Sequence, residues 1–197
     1  MEDEKSIIGT FNFMSDTSPF IPDSVRLMDA QGASRTHDWR AWKPKDHAVL
    51  TFVVKDGRVL LIHKKRGLGA GKINAPGGRI EPGETALHAA VRETQEEVGV
   101  TPTGLERRAV LRFAFTDGYG LEFHVFFAND AEGALQETDE ALPFWCALDE
   151  IPFGKMWSDD RVWLPLALEG RPLEAWFVFD GDVALWHQLY FLTGLTK

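Results

Sequence analysis

Between Gly77 and Val100 the chain reads GGRIEPGETALHAAVRETQEEVGV, and few folds can accommodate that order of residues. Pro82 and Gly83 punctuate a turn, good helix formers follow, and Gly99 stands where a glycine ends a helix. The spacing predicts a helix from about Glu84 to Val98. At roughly 100° per residue, Leu87, Ala90, Val91, Thr94 and Val98 form one stripe that should face a core, while Glu93, Glu96 and Glu97 crowd a neighbouring stripe. Like charges at this spacing cost a helix a few tenths of a kcal/mol per pair, roughly, unless a cation lies among them. Carboxylate oxygens suit a hard divalent ion, Mg²⁺ or Mn²⁺, better than zinc. As a bare pattern, the run also fits a solvated acidic face.

Before this stretch, Val49 to Val54 and Arg58 to His63 read as strands joined through Lys55-Asp56-Gly57, a hairpin signal. Lys64 to Pro76 is a basic, glycine-rich loop that leads to Asn74-Ala75-Pro76-Gly77-Gly78, a backbone able to approach a ligand closely. After it, Leu105 to Phe115 and Leu121 to Ala128 flank Asp117-Gly118-Tyr119-Gly120 as an aromatic-rich hairpin. Ala141 to Leu148 reads as a further strand. Ser158-Asp159-Asp160 has the form of a helix N-cap with acids in the first turn, leading into Arg161 to Leu168. Leu173 to Phe179 and Val183 to Leu189 make a last hairpin.

Gly78, five residues, Glu84, seven residues, then Arg92-Glu93-x-x-Glu96-Glu97-x-Gly99-Val100 resembles the Nudix box, Gly-x5-Glu-x7-Arg-Glu-U-x-Glu-Glu-x-Gly-U with U a bulky aliphatic. The departure is Thr94 at the first U, whose methyl can pack while its hydroxyl bonds back to a helix carbonyl. Lys64 to Asn74, Thr138-Asp139-Glu140 and Met156 to Trp163 extend the likeness to the oxidised purine nucleoside triphosphatases of the MutT class, over about residues 47 to 190. The resemblance implies an α/β fold, an α/β/α sandwich around a mixed β-sheet. It also implies hydrolysis of purine nucleoside triphosphates such as 8-oxo-dGTP or 2-hydroxy-dATP to the monophosphate and pyrophosphate. Carried onto this sequence, it places Mg²⁺ on Glu93, Glu96, Glu97, Glu140 and the carbonyl of Gly77, with Glu93, Glu97 or Glu140 serving the attacking water. It places substrate against Lys64, Asn74, Pro76, Gly77, Gly78, Arg79, Trp157, Asp159 and Asp160. Trp157 would stack on the base, and two close carboxyls in a dry pocket would share a proton and suit more than one oxidised purine. Leu68 and Ile73 stand where close relatives carry aromatics, and Val49 where they carry a pocket Thr, with Thr51 two positions on. The alternatives are a Nudix hydrolase of ADP-ribose, dinucleoside polyphosphates or RNA 5′ ends, or a non-catalytic nucleotide-binding module.

A net charge of −9 disfavours nucleic acid and acidic membrane as partners, although Lys64, Lys65, Arg66, Lys72, Arg79 and Arg92 gather positive charge around the glycines. The single cysteine, Cys146, and the lack of an apolar leader or spanning run suggest a cytoplasmic protein, a monomer or homodimer acting on a small nucleotide. Residues 1–45 read as an N-terminal extension, a docking segment or a tail, ahead of the hydrolase domain at 46–197.

Overall fold

The protein is seen in a computed structural model that describes residues 21–28 and 32–192, together with the backbone of 12–14. The apolar residues Ile7, Ile8, Phe11 and Phe20 of the extension, and the side chain of Phe13, lie outside the described residues.

The strands are β1 (Asn12–Met14), β2 (Val25–Met28), β3 (Ser34–His37), β4 (Asp46–Lys55), β5 (Arg58–Lys64), β6 (Ile73–Asn74), β7 (Thr101–Thr103), β8 (Glu106–Phe115), β9 (Gly120–Ala128), β10 (Asp130–Glu132), β11 (Ala141–Ala147), β12 (Leu173–Asp180) and β13 (Val183–Leu192); the helices are α1 (Ala86–Val98) and α2 (Asp160–Leu168). The main sheet runs β1-β13-β12-β8-β9-β4-β5-β11, with β6 added to β5. It is mixed: β4 lies parallel to β9 and β12 parallel to β8, while the three hairpins are antiparallel. At the turn between β4 and β5, Asp56 and Gly57 both take positive φ, as a two-residue hairpin loop demands.

The period of two along β4 separates its side chains cleanly. Ala48, Leu50 and Phe52 join the large core that Trp163, Leu164 and Ala167 of α2 close from one side. Val49 packs with Ala89 and Ala90 of α1 on the other side, where the Thr51 hydroxyl donates to the Ala90 carbonyl at 3.3 Å. The sheet is thus covered by a helix on each face, the α/β/α arrangement expected. Farther along the face that carries α1, Leu27 and Trp39, with Val25 and Trp42 beside them, cover Ala114, Trp176, Val178 and Tyr190, an apolar layer over β12 and β13.

The helix of the acidic run begins at Ala86 rather than Glu84, because Thr85 takes the N-cap, its hydroxyl accepting the N–H of His88 at 3.2 Å. It ends as anticipated, with Gly99 at φ 78°. One stripe position fails: Leu87 is 46% exposed, and in the first turn Ala86 and Ala89 meet the core in its stead. Thr94 sits in the core with its hydroxyl donating to the Ala90 carbonyl at 2.7 Å.

Candidate active site

The site exists because β4 and β5 part. Beyond their turn they pair only at Val54 with Val59 and Lys55 with Arg58. The segment 76–80 fills the opening as an irregular strand: Val49 N–H donates to the Gly78 carbonyl, Thr51 N–H to that of Pro76, and Ile80 N–H to that of His47, each at 2.9 Å. Both glycines are needed for this fit. A Cβ on Gly77 would enter the Val49 carbonyl oxygen, and one on Gly78 would enter the carboxylate of Glu93. Neither has positive φ, so close approach rather than backbone freedom selects glycine here.

Under this segment α1 presents its acids. Glu97, only 1% exposed, accepts the Gly77 N–H at 2.9 Å on one oxygen and the Lys64 ammonium at 2.7 Å on the other. A carboxylate so buried requires that pairing. Arg92 places every guanidinium N–H: two on Glu84 at 2.9 Å each, one on Glu93 at 2.8 Å, one on Glu96 at 3.0 Å and one on the Arg79 carbonyl at 3.0 Å. The fork holds the Glu84 carboxyl down at about 2. Burial pushes Glu93 upward against the pull of Arg92, with Glu97 and Glu96 adding to the rise.

The expected cluster is looser than the helical wheel suggests. Glu97 turns into the core, Glu96 is exposed, and the chain's own cations separate the three acids. They still offer hard oxygen donors around Gly77 and Gly78, Glu93 engaging Arg92 through one oxygen, and this suits a hard divalent ion such as Mg²⁺. Glu140 stands apart, more than half exposed at the cavity mouth and paired with Arg66 at 3.3 Å.

On the other side of β4 opens a cavity of about 590 Å³, walled by Leu50, Leu111, Phe113, Phe123 and Phe179 and reached past Lys64, Gly77 and Gly78. The alternating aromatics of β8 and β9, read from sequence as core, are in part this wall. Asp159 and Asp160 line it and are both buried. The helix starts where the Ser158-Asp159-Asp160 pattern puts it, with Asp159 at the N-cap and Asp160 in the first turn, but the capping bond is not made: Asp159 accepts the indole N–H of Trp163 at 3.1 Å, and Asp160 accepts the N–H of Trp157 at 3.0 Å. Burial raises both carboxyls, Asp159 to about 7 and Asp160 well above its usual range, where the neighbouring Asp159 adds to the effect. Near neutral pH the pair therefore keeps at least one proton.

Trp157 and Asn74 also line this cavity. Asn74 uses its carbonyl on the Ala75 N–H at 2.9 Å, so its amide NH₂ is what it offers a ligand. The Trp157 ring lies against Gly69, where a Cβ would come within 3.0 Å of the indole nitrogen, and under the Lys72 ammonium at 4.7 Å. Two residues weighed for the pocket lie elsewhere: Val49 and Thr51 face α1, and the side chains facing the cavity from β4 are Ala48 and Leu50. Leu68 is exposed at the mouth. Lys64 and Arg79, read as phosphate contacts, line the entrance already paired, Lys64 with Glu97 and Arg79 with Asp46 at 3.1 Å. Neither the Lys64–Glu97 pair nor the Trp163 bond to Asp159 is marked by any pattern of spacing. The first spans the sheet to the helix, and the second needs the inward turn of α2.

A family model described as the NUDIX domain matches residues 44–167. The oxidized purine nucleoside triphosphate hydrolase of Danio rerio is 44% identical over 142 residues, 71% of this chain and 91% of that protein. That of Mus musculus is 39% identical over the same shares. The crystal structure of a MutT protein from Bacillus halodurans superposes with a TM-score of 0.67 at 28% identity, covering 73% of this chain and 97% of that one.

Proposed function

The chain belongs to the NUDIX family, and from that premise we propose that it hydrolyses oxidised purine nucleoside triphosphates to the monophosphate and pyrophosphate, a nucleotide-pool sanitation activity. The observation that carries the base assignment is the buried, adjacent pair Asp159–Asp160, both carboxyls raised by burial, in a cavity that also holds Asn74 and Trp157. A neutral carboxyl donates and an ionised one accepts, so a pair with one proton can meet the altered hydrogen-bonding edge of an oxidised purine. The relatives named for this activity align over most of their length with this chain.

Glu93, Glu96, Glu97, the Gly77 carbonyl and Glu140 would hold Mg²⁺, which when bound neutralises polyphosphate charge and lowers the pKa of a bound water. The chain's own residues do the rest. Lys64, between the cavity and the box, is placed to exchange its bond with Glu97 for a phosphate oxygen, and Arg79 at the rim can do the same. Arg92 stays locked among four partners and holds the acids in position. Glu93, raised by burial and with one oxygen unclaimed by Arg92, is the better placed of Glu93 and Glu97 to take a proton from the attacking water. Residues 46–197 form the hydrolase unit in this reading, and the protein works in the cytoplasm on a free nucleotide.

The test is Mg²⁺-dependent pyrophosphate release across 8-oxo-dGTP, 2-hydroxy-dATP, dGTP, ADP-ribose and dinucleoside polyphosphates, with Glu97→Gln alongside. The oxidised triphosphates should lead, and Glu97→Gln should bind nucleotide while losing turnover. A lead for ADP-ribose, or near-normal turnover in the variant, refutes the reading.

A further inference from the structure

On the sheet face that carries α1, three metal-ligating side chains of β4 and β9 converge. We propose that His47, Glu122 and His124 form a binding site for a divalent transition metal of the zinc class, separate from the box acids.

Backbone register fixes the group: on the parallel strands β4 and β9, His47 pairs directly with Glu122, and His124 follows on the same face. One oxygen of Glu122 lies 3.3 Å from His47 Nδ1 and 3.5 Å from His124 Nε2, and the three ligand atoms fall within 4.8 Å of one another. Two atoms each about 2.1 Å from a tetrahedral zinc ion stand about 3.4 Å apart, so both His–Glu separations match shared coordination, while the two imidazole nitrogens, within 4.8 Å of each other, would draw together by up to about 1.4 Å. Among the described residues no other set of three His, Cys, Asp or Glu side chains converges so closely.

The surroundings support the ligands. The second oxygen of Glu122 accepts Arg112 Nε at 2.8 Å, which orients the carboxylate in the manner of an outer-shell partner. Arg112 also donates to Glu174 at 2.9 Å, so these three charged groups together carry one net negative charge toward the imidazoles. Metal on His124 Nε2 would put the ring proton on Nδ1, which is buried and has no hydrogen-bond partner among the described residues, so the supporting hydrogen bonds act on Glu122 and not on this ring. His47 is half exposed and opens the fourth position to solvent. Two imidazoles and one carboxylate select zinc, copper or nickel over Mg²⁺.

The untagged full-length chain titrated with Co²⁺ under saturating Mg²⁺ should take up one equivalent with visible d–d absorption, displaced by Zn²⁺. His47→Ala, an exposed change, and Glu122→Gln, which keeps the side-chain volume, should each weaken Co²⁺ binding at least about 100-fold. Glu97→Gln should retain the band. No band in the wild-type chain, a band that survives His47→Ala and Glu122→Gln, or one lost in Glu97→Gln overturns the proposal, whatever the outcome for hydrolysis.

Discussion

Adding one methyl group to each of two adjacent glycines should produce opposite failures. In Gly78→Ala the new carbon would stand 2.5 Å from Glu93 Oε1, with the rest of that carboxylate closer still, whereas ordinary contact begins near 3.4 Å. The obstacle is the end of a flexible side chain, so it can swing away by about 0.9 Å (the difference of those two distances) at little cost to the fold. Misplacing a reacting group by about 1 Å is worth on the order of 100-fold in rate, or about 2.7 kcal/mol of barrier. In Gly77→Ala the new carbon would enter the carbonyl of Val49, with the Val49 carbon at 3.0 Å and Leu50 Cα at 3.1 Å, all backbone of a central strand that cannot swing. Overpacking of that kind costs about 1–3 kcal/mol, and at about 2–4 °C per kcal/mol for a chain of this size the thermal midpoint should drop by about 2–12 °C. Calorimetry and steady-state pyrophosphate release with 8-oxo-dGTP measure both. Gly78→Ala should keep its midpoint within about 2 °C and lose about two decades of kcat. A kcat within threefold of wild type, or equal losses of stability in the two variants, would show that close approach to Glu93 is not what Gly78 provides.

Arg92→Lys keeps the charge but replaces five directed N–H groups by a point ammonium, so Glu84 and Glu93 cannot both be held; kcat should fall more than tenfold while KM moves less, checked by steady-state kinetics. Asp159 has its pKa raised from 3.8 to about 7 in the fold, so its contribution to stability is full below the unfolded value and is lost as pH rises through the folded one. The thermal midpoint should therefore decline between about pH 4 and pH 7, more steeply in the wild type than in Asp159→Asn; parallel profiles would contradict the assignment. The same variant should reorder the rates on oxidised and normal purines while leaving the Mg²⁺ dependence in place, read from the substrate panel.

Local order was readable because it is local. The turn at Pro82-Gly83, the stop at Gly99, the hairpins at Asp56-Gly57 and Asp117-Gly118, and the back-bonded Thr94 depend on residues within a few positions of each other. Helical periodicity placed Glu93, Glu96 and Glu97 together, but a wheel carries no information on what lies opposite, so it missed that Glu97 is buried against Lys64 and that Leu87 faces solvent. Asp159 and Asp160 satisfied a capping rule from sequence, yet the Trp163 indole and the Trp157 amide draw both inward. The parallel pairings of β4 with β9 and β12 with β8, which create the cavity wall and the His47–Glu122–His124 group, join segments about 65 to 75 residues apart and leave no short-range trace.

Because successive side chains of β4 point to opposite faces, the proposed function would assign recognition and reaction to even and odd neighbours on a single ribbon. Ala48 and Leu50 line the cavity proposed for the base, while Val49 and Thr51 seat the helix that carries the acids. Enlarging or narrowing the chamber at Leu50 can retune which base is accepted without disturbing the reacting end, and loosening Val49 can slow the reaction without changing that choice. Such a division lets one scaffold acquire new substrates by changes at every second residue.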